Sequence, residues 1–254
     1  MSATIIDREL EAKHRAVWAL GDYASVADDL VSPLGSELVA AAGIRAGQRV
    51  LDVAAGTGNA AFAAAQTGAR VIASDLCPDL LERGRAAATA GGLDVDWREA
   101  NAEALPYTDG EFDAVISCIG VMFAPHHQQA ADELIRVCRP GGILGMAWHR
   151  PDRSVPWVVE LDRIAERTDM GKGGEPLAVA GFDPFQEREF AYRHTVSVDT
   201  LVATVASWSH VAISPRREKI LADVRALGET VAGSTAAGTV DFPYVTEAVR
   251  ARRS

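Results

Sequence analysis

Apolar positions recur along this chain with two different periods, and the change between them divides it into parts. Residues 8–20 (RELEAKHRAVWAL) set Leu10, His14, Val17 and Trp18 at helical spacing, and Gly21 stops the pattern. A second helix is expected from Pro33 to about Ala42, with Ser32 as a cap ahead of the proline. The period then shortens. Residues 48–54 (QRVLDVA) form a short apolar run rich in β-branched residues, followed by Gly-Thr-Gly and an alanine-rich helix to about Thr67. Residues 69–74 (ARVIAS) read as a strand, 78–90 as a helix and 95–99 as a third strand. A fourth strand, 113–118 (DAVISC), follows the turn signal Asp109-Gly110. A helix over 125–138 is stopped by Pro140-Gly141-Gly142, and 143–148 is a fifth strand. Strands alternating with helices at this pitch predict a parallel sheet covered on both faces. Right-handed crossovers then gather the strand ends on one side, where such sheets bind ligands.

Beyond Arg150 the alternation breaks. Residues 154–167 read as helix, 168–185 as a Gly/Pro-bearing loop and 187–195 as a strand. Two helices, 199–210 and 215–229, precede a last strand at 239–252. A strand, a helical excursion and a closing strand would complete the sheet with an antiparallel edge.

Composition narrows the classes. Hydrophobic residues at 48% and charged residues at 24% exclude a disordered or collagen-like chain. The formal net charge of −10 argues against nucleic acid as a direct partner, which would need a positive stripe. The basic cluster Arg250-Ala251-Arg252-Arg253 is too short to reverse that. Cys77, Cys118 and Cys138 are dispersed, without metal-ligand spacing, so neither a disulfide framework nor a metal site is expected. The opening residues MSATIIDREL turn acidic too early for a signal peptide, and no apolar stretch reaches the length of a membrane span. A cytoplasmic location is the expectation, and a homodimer is left open.

The chemistry concentrates at Val50-Leu51-Asp52-Val53-Ala54-Ala55-Gly56-Thr57-Gly58-Asn59, a strand entering a helix. Glycines here let the backbone approach a ligand and leave the amides of the helix N-terminus to point at it. Gly56-x-Gly58-x-x-Ala61 also fits a dinucleotide fingerprint, and Asp75 at the end of the second strand could accept ribose hydroxyls in either case. Asp52 separates the two. An anion two residues before the turn repels a pyrophosphate but suits a ligand bearing a cationic amine. A bracing role within the loop would serve either ligand.

Asp52-x-Ala54-x-Gly56-Thr57-Gly58, Asp75-Leu76, Ala100-Asn101-Ala102-Glu103-Ala104-Leu105-Pro106, Phe112-Asp113 and Arg139-Pro140-Gly141-Gly142 follow in order. Together they resemble the class I S-adenosylmethionine-dependent methyltransferases. The NAEALP segment is similar to that of the ubiquinone/menaquinone C-methyltransferases. The resemblance is firm over residues 45–148 and looser elsewhere. It implies an α/β, Rossmann-like doubly wound, mostly parallel seven-stranded sheet with an antiparallel edge strand and helical lid elements. The chain would be one domain: an N-terminal helical lid at 1–43, a cofactor-binding core at 44–150, and a substrate lid with sheet-completing strands at 151–254. The implied cofactor is S-adenosyl-L-methionine. Asp75 would hold its ribose hydroxyls and Leu76 would pack on the adenine. Asn101 and the amide of Ala102 would read the adenine edge; many relatives carry Asp where Asn101 stands. Gly56, Thr57 and Gly58 would line the methionine moiety. Ala54 replaces the glycine of the commonest motif. Cys118 stands where relatives often carry Ser at the methionine end; a buried small hydrophobe is the plain alternative. Gly21-Asp22-Tyr23 resembles a pre-core segment whose tyrosine covers the cofactor.

Methyl transfer from a sulfonium depends mainly on alignment, yet a phenol, hydroxyl or carbon acceptor also has a proton to lose, most readily to a histidine. Strand-end logic selects His126 and His127 after strand four and His149 after strand five. Exposed first-turn positions of a helix are the plainer reading of the first two. His14 shares its apolar face with Trp18, so packing is favoured there. Trp18, Tyr23, Met122, Phe123, Trp148 and Trp157 flank the predicted site edge and suit an apolar acceptor, although each alone is more often core. The expected activity is methyl transfer to O, N or C of a small, fairly apolar molecule. The alternatives are an NAD-linked oxidoreductase and a non-catalytic S-adenosylmethionine-binding protein.

Overall fold

The computed structural model describes Arg15 and residues 34–167, 186–235 and 237–254. Apart from Arg15, the expected helix over 8–20 lies outside these residues, as do Tyr23, Ser32, Pro33 and the loop 168–185. The first helix, α1, covers 34–42. The chain continues as β1 Arg49–Val53, α2 Asn59–Gln66, β2 Arg70–Asp75, α3 Pro78–Ala90, β3 Val95–Glu99 and β4 Phe112–Cys118. A 3-10 turn Gly120–Phe123, α4 His127–Val137, β5 Cys138–Pro151 and α5 Pro156–Ile164 follow. The last part holds β6 Gln186–Val196, α6 Val198–Ser207, α7 Ser209–Ala212, α8 Arg217–Ala232 and β7 Val240–Arg252.

Among the described residues the strands form a seven-stranded sheet in the order β3-β2-β1-β4-β5-β7-β6. The first five are parallel; β7 runs antiparallel to both β5 and the edge strand β6. The order reverses between β1 and β4, so the loops leaving those two strands diverge and open a crevice at their carboxyl ends.

Three apolar clusters hold the layers. On one face Val50, Ala73, Ile116 and Ala147 pack against Leu34 and Leu38 of α1, the alanines of α2, and Leu81 and Ala88 of α3. On the other, Leu51, Val53, Val115 and Leu144 meet Leu134 and Val137 of α4. Burial on both faces is why β1 reads as an almost continuous apolar run rather than an alternating one. The third cluster sets Val158, Leu161, Leu201, Val205, Ile220 and Val224 over Phe242 and Tyr244 of β7.

Two expected boundaries are corrected. The fifth strand is Cys138–Pro151, not 143–148. Pro140-Gly141-Gly142, expected as a stop, is carried inside it as a register irregularity: Phe112 pairs with Cys138, but Ala114 with Ile143. Gly141 takes a left-handed φ of 71° there, and its N–H donates to the Arg253 carbonyl at 2.8 Å. Pairing with β7 prolongs the far end, where Pro151 meets Tyr244. The helix expected over 199–210 breaks at Trp208, whose ψ of 124° is extended. The C-terminal basic cluster has a structural role, since Arg253 Nη1 donates to the carbonyl of Ile135 (2.9 Å) and to that of Cys138 at the end of α4. Among the described residues no helix is long and apolar enough to cross a membrane, and no group of three or more His, Cys, Asp or Glu could hold a metal ion.

Candidate functional site

The crevice is built by the turn between β1 and α2. Ala54 adopts φ 54°, followed by Gly56 at 57° and Gly58 at 97°. A left-handed alanine costs roughly 1 kcal/mol relative to glycine. The turn is held from three sides. The Ser74 hydroxyl donates to the Asp52 carbonyl at 3.2 Å and the Ser117 hydroxyl to the Val53 carbonyl at 2.7 Å. The Ala55 N–H donates to the Ser74 carbonyl at 2.9 Å. The 3-10 turn after β4 presses on the same place: a Cβ on Gly120 would stand 2.2 Å from the Ala54 carbonyl oxygen and 2.6 Å from its Cβ. Gly58 is equally constrained, since a Cβ there would meet the Trp97 ring at 2.4 Å. Gly56 is different. A Cβ there would meet nothing within 4 Å, so this glycine faces open space.

Beneath the turn lies Asp52, 1% exposed, with neither carboxylate oxygen hydrogen-bonded. Burial pushes its carboxyl up to about 8; the nearby Ala61 backbone N–H opposes this and the charge of Asp75 adds to it. Asp75, at the end of β2, accepts from the Gly56 N–H and the Cys77 N–H at 2.8 Å each. Burial raises its carboxyl too, against the amides of Cys77, Gly56 and Leu76. Cys118 ends β4 beside Asn59, whose Nδ2 lies 3.9 Å from the sulfur. Burial, then the Asp52 charge, pushes the Cys118 thiol well above its ordinary range, so it is a neutral thiol and not a nucleophile.

The NAEALP segment borders the crevice beyond β3. The Ala100 N–H donates to the Asp75 carbonyl, and the Ala104 N–H to that of Asn101, both at 2.9 Å. Asn101 Oδ1 accepts the Glu103 N–H at 2.9 Å. Arg15 makes an ion pair with Glu99 at the end of β3.

The candidate bases separate. His149 stands on the sheet face of Asp52 and Cys118, by the alternation of β5, and its Nδ1 lies 2.7 Å from Thr246 Oγ1 on β7. Its ring meets Tyr244 at 5.3 Å. His126 is the N-cap residue of α4 and turns Nδ1 to Glu103 Oε2 at 2.9 Å. His127 is exposed, with Nε2 3.1 Å from the Met122 carbonyl. Trp148 points to the opposite sheet face and donates to Glu247 at 2.5 Å, whereas Trp157 packs on Phe242 at 5.3 Å. Neither borders the turn. Glu103, Gly120, Ser117 and Thr246 were not singled out in the sequence; each acts through a partner 23 to 97 positions away, or through a close approach that no local pattern announces.

A family model described as a methyltransferase domain matches residues 51–146, which carry the turn, Asp75 and the NAEALP segment. A relative at 34% identity over 218 residues is methyltransferase Mb3374 of Mycobacterium bovis, with 81% of this chain and 84% of that one covered. The chain belongs to the class I S-adenosylmethionine-dependent methyltransferases. The protein Rv1405c of Mycobacterium tuberculosis is 63% identical over 140 residues, covering 55% of this chain and 51% of that one. The chain thus spans about half the length of that protein. The crystal structure of YcgJ from Bacillus subtilis superposes with a TM-score of 0.60 at 19% identity, covering 87% of this chain and 98% of that one. That likeness concerns the fold alone.

S-adenosylmethionine fits the residues present. Its ammonium group has a buried carboxyl without a hydrogen-bond partner to meet at Asp52, and the open side of Gly56 leaves room for close approach.

Proposed function

We propose that this chain transfers the methyl group of S-adenosyl-L-methionine to O, N or C of a small, fairly apolar acceptor. The observation that carries the reading is the Asp52 carboxyl, buried under a glycine turn with neither oxygen bonded. A pyrophosphate brought to this place would meet an anion or a buried acid, which counts against a dinucleotide. A cation there favours ionisation of Asp52 and gains a charge-assisted bond.

When bound, the cofactor supplies a methyl group already activated by its sulfonium. The chain's residues then hold and orient. Asp52 would receive the ammonium end, with Ala54, Gly56, Thr57 and Gly58 lining the methionine portion and Cys118 as a neutral wall. Asp75, held by the Gly56 and Cys77 amides, would bind the ribose hydroxyls, and Leu76 would cover the adenine. Asn101 and the Ala102 amide would read its edge. Alignment for an in-line displacement supplies most of the acceleration. His149, oriented by Thr246, takes a proton from the acceptor where one must leave. His126 is the weaker candidate because its Nδ1 is committed to Glu103. Met122 and Phe123, half-buried after β4, give the acceptor an apolar wall. The net charge of −10 supports a small molecule over a nucleic acid.

The test is calorimetric titration with S-adenosylhomocysteine, with NAD alongside, then labelled-methyl transfer to phenols, amines, carbon acids and RNA. Binding of S-adenosylhomocysteine and labelling of a small acceptor are expected. Binding of NAD instead overturns the reading. Tight cofactor binding without any transfer assigns the chain a non-catalytic role.

A further inference from the structure

Glu103 is buried, and every polar part of it is engaged. Its N–H donates to Asn101 Oδ1 at 2.9 Å, and its carbonyl accepts from Gln129 Nε2 at 3.0 Å. One carboxylate oxygen accepts the His126 backbone N–H at 2.7 Å, while the other faces His126 Nδ1 at 2.9 Å. The carboxylate therefore caps the start of α4. Two residues on, the Leu105 N–H donates to Glu133 Oε2 at 2.6 Å, which fixes the same loop to α4 a second time.

This arrangement bears on a choice that Asn101 alone cannot make. A carboxamide can present either its oxygen or its NH2 group to a ligand, whereas a carboxylate presents only acceptors. An N–H donor can face only the amide oxygen, so the Glu103 N–H sets which end of the Asn101 amide lies on its side of the loop. The oxygen carries two lone pairs and can take a second donor as well.

We propose that Glu103 is a positioning residue for base specificity: its bonds to His126 and Gln129 hold its own N–H against Asn101 Oδ1, so that the Asn101–Ala102 segment accepts adenine and rejects hypoxanthine. This rests on the cofactor reading above. Adenine offers an amino donor to Asn101 Oδ1 and a ring acceptor to the Ala102 N–H. Hypoxanthine reverses both, with a carbonyl oxygen and a ring N–H. Where the clamp is lost, the amide can turn its NH2 outward and the discrimination falls.

The experiment measures dissociation constants of S-adenosylhomocysteine and its hypoxanthine counterpart, S-inosylhomocysteine, for the full chain and its variants. The wild type should prefer the adenine compound by about a hundredfold or more, as sites built to bond a polar edge do. In Glu103→Ala, S-adenosylhomocysteine should bind about tenfold more weakly and the preference should fall by at least about tenfold. Glu103→Gln, which keeps an acceptor for the His126 N–H, should hold the preference near the wild-type ratio. Asn101→Asp placed on Glu103→Ala should restore the ratio, because a carboxylate needs no orienting. Equal weakening for both compounds in Glu103→Ala would mean that Glu103 only stabilises the loop, and overturns the proposal. If Glu103→Ala does not fold, His126→Ala removes one end of the clamp, and an unchanged ratio in it overturns the proposal equally. Failure of the wild type to bind S-adenosylhomocysteine is a different result, and sinks the cofactor reading itself.

Discussion

Replacing Asp52 by asparagine should make the ligand-free protein more stable and its cofactor site worse. The side chain is 1% exposed, neither of its oxygens is hydrogen-bonded, and burial lifts its carboxyl from 3.8 to about 8. At pH 7 the folded chain therefore holds a proton that the unfolded chain has released. A group whose folded pKa is raised contributes stability fully below its unfolded value, and that contribution declines as pH rises toward the folded value. Neutral pH lies about three units above the unfolded value, and each unit corresponds to about 1.4 kcal/mol, so the penalty at pH 7 approaches about 4 kcal/mol. Asparagine has nearly the same shape and never ionises. Allowing for relaxation around a buried charge, Asp52→Asn should gain about 1–3 kcal/mol at pH 8, or roughly 2–4 °C in Tm per kcal/mol for a chain of this size.

The gain should shrink on going down to pH 4, where Asp52 is neutral in the folded state and about half neutral in the unfolded one. On the proposed reading, the same substitution removes the anion that would meet the cofactor's ammonium group. Affinity for S-adenosylhomocysteine should fall by about 2–3 kcal/mol, and the wild-type rise in affinity between pH 6 and about pH 8 should flatten. Thermal melts across this pH range, with and without S-adenosylhomocysteine, measure both effects. A variant that melts no higher than wild type at pH 8 and binds equally well would refute the reasoning.

Ala54 holds a φ of 54°, so Ala54→Gly should raise stability by about 0.5–1 kcal/mol in denaturant titrations; a loss would show that the turn relaxes in solution. Asp75→Ala should weaken S-adenosylhomocysteine by about 1–3 kcal/mol in calorimetry, and unchanged affinity would remove Asp75 from the site. With an acceptor in hand, wild type should show an acidic limb in its pH–rate profile that His149→Ala lacks and Thr246→Val displaces, since Thr246 Oγ1 lies 2.7 Å from Nδ1. Identical limbs in all three would exclude His149 as the base.

The parallel half of the sheet was legible because its information is local. Short apolar runs, glycine turns and the alanine face of α2 each declare themselves within ten residues or so. Asp75 and the turn residues gather at one crevice for the same reason, since strand ends in such a fold point one way. What stayed hidden is non-local. The length of β5 depends on β7, about 100 residues later, which pairs from Ile143 to Pro151, and on Arg253 just beyond it, whose backbone bonds Gly141 and Gly142. Ala54 appears in the sequence as a neutral variant of a glycine; its left-handed backbone and the missing Cβ of Gly120 against it emerge only in three dimensions. Glu103 was visible as a letter of NAEALP, but its bonds to His126 were not. That pairing changes how His126 reads, from a base following a strand to one end of a clamp.

These hidden features share a direction. The turn gathers two carboxyls that burial drives toward protonation, Asp52 and Asp75, and one alanine in a backbone region suited to glycine. Each is unfavourable in the ligand-free chain. Around them the stabilising contacts are neutral or well paired: Ser74 and Ser117 on the β1 carbonyls, Glu103 on α4, and apolar layers on both faces. A rigid frame holding an unfavourable charge arrangement is what a site for a cation requires, because the cation then relieves a cost that the frame prevents the protein from relieving alone. The excess of acidic residues over the whole chain works in the same sense at longer range. It lowers the energy of bringing a positively charged cofactor to the crevice, and raises that of bringing a polyanion.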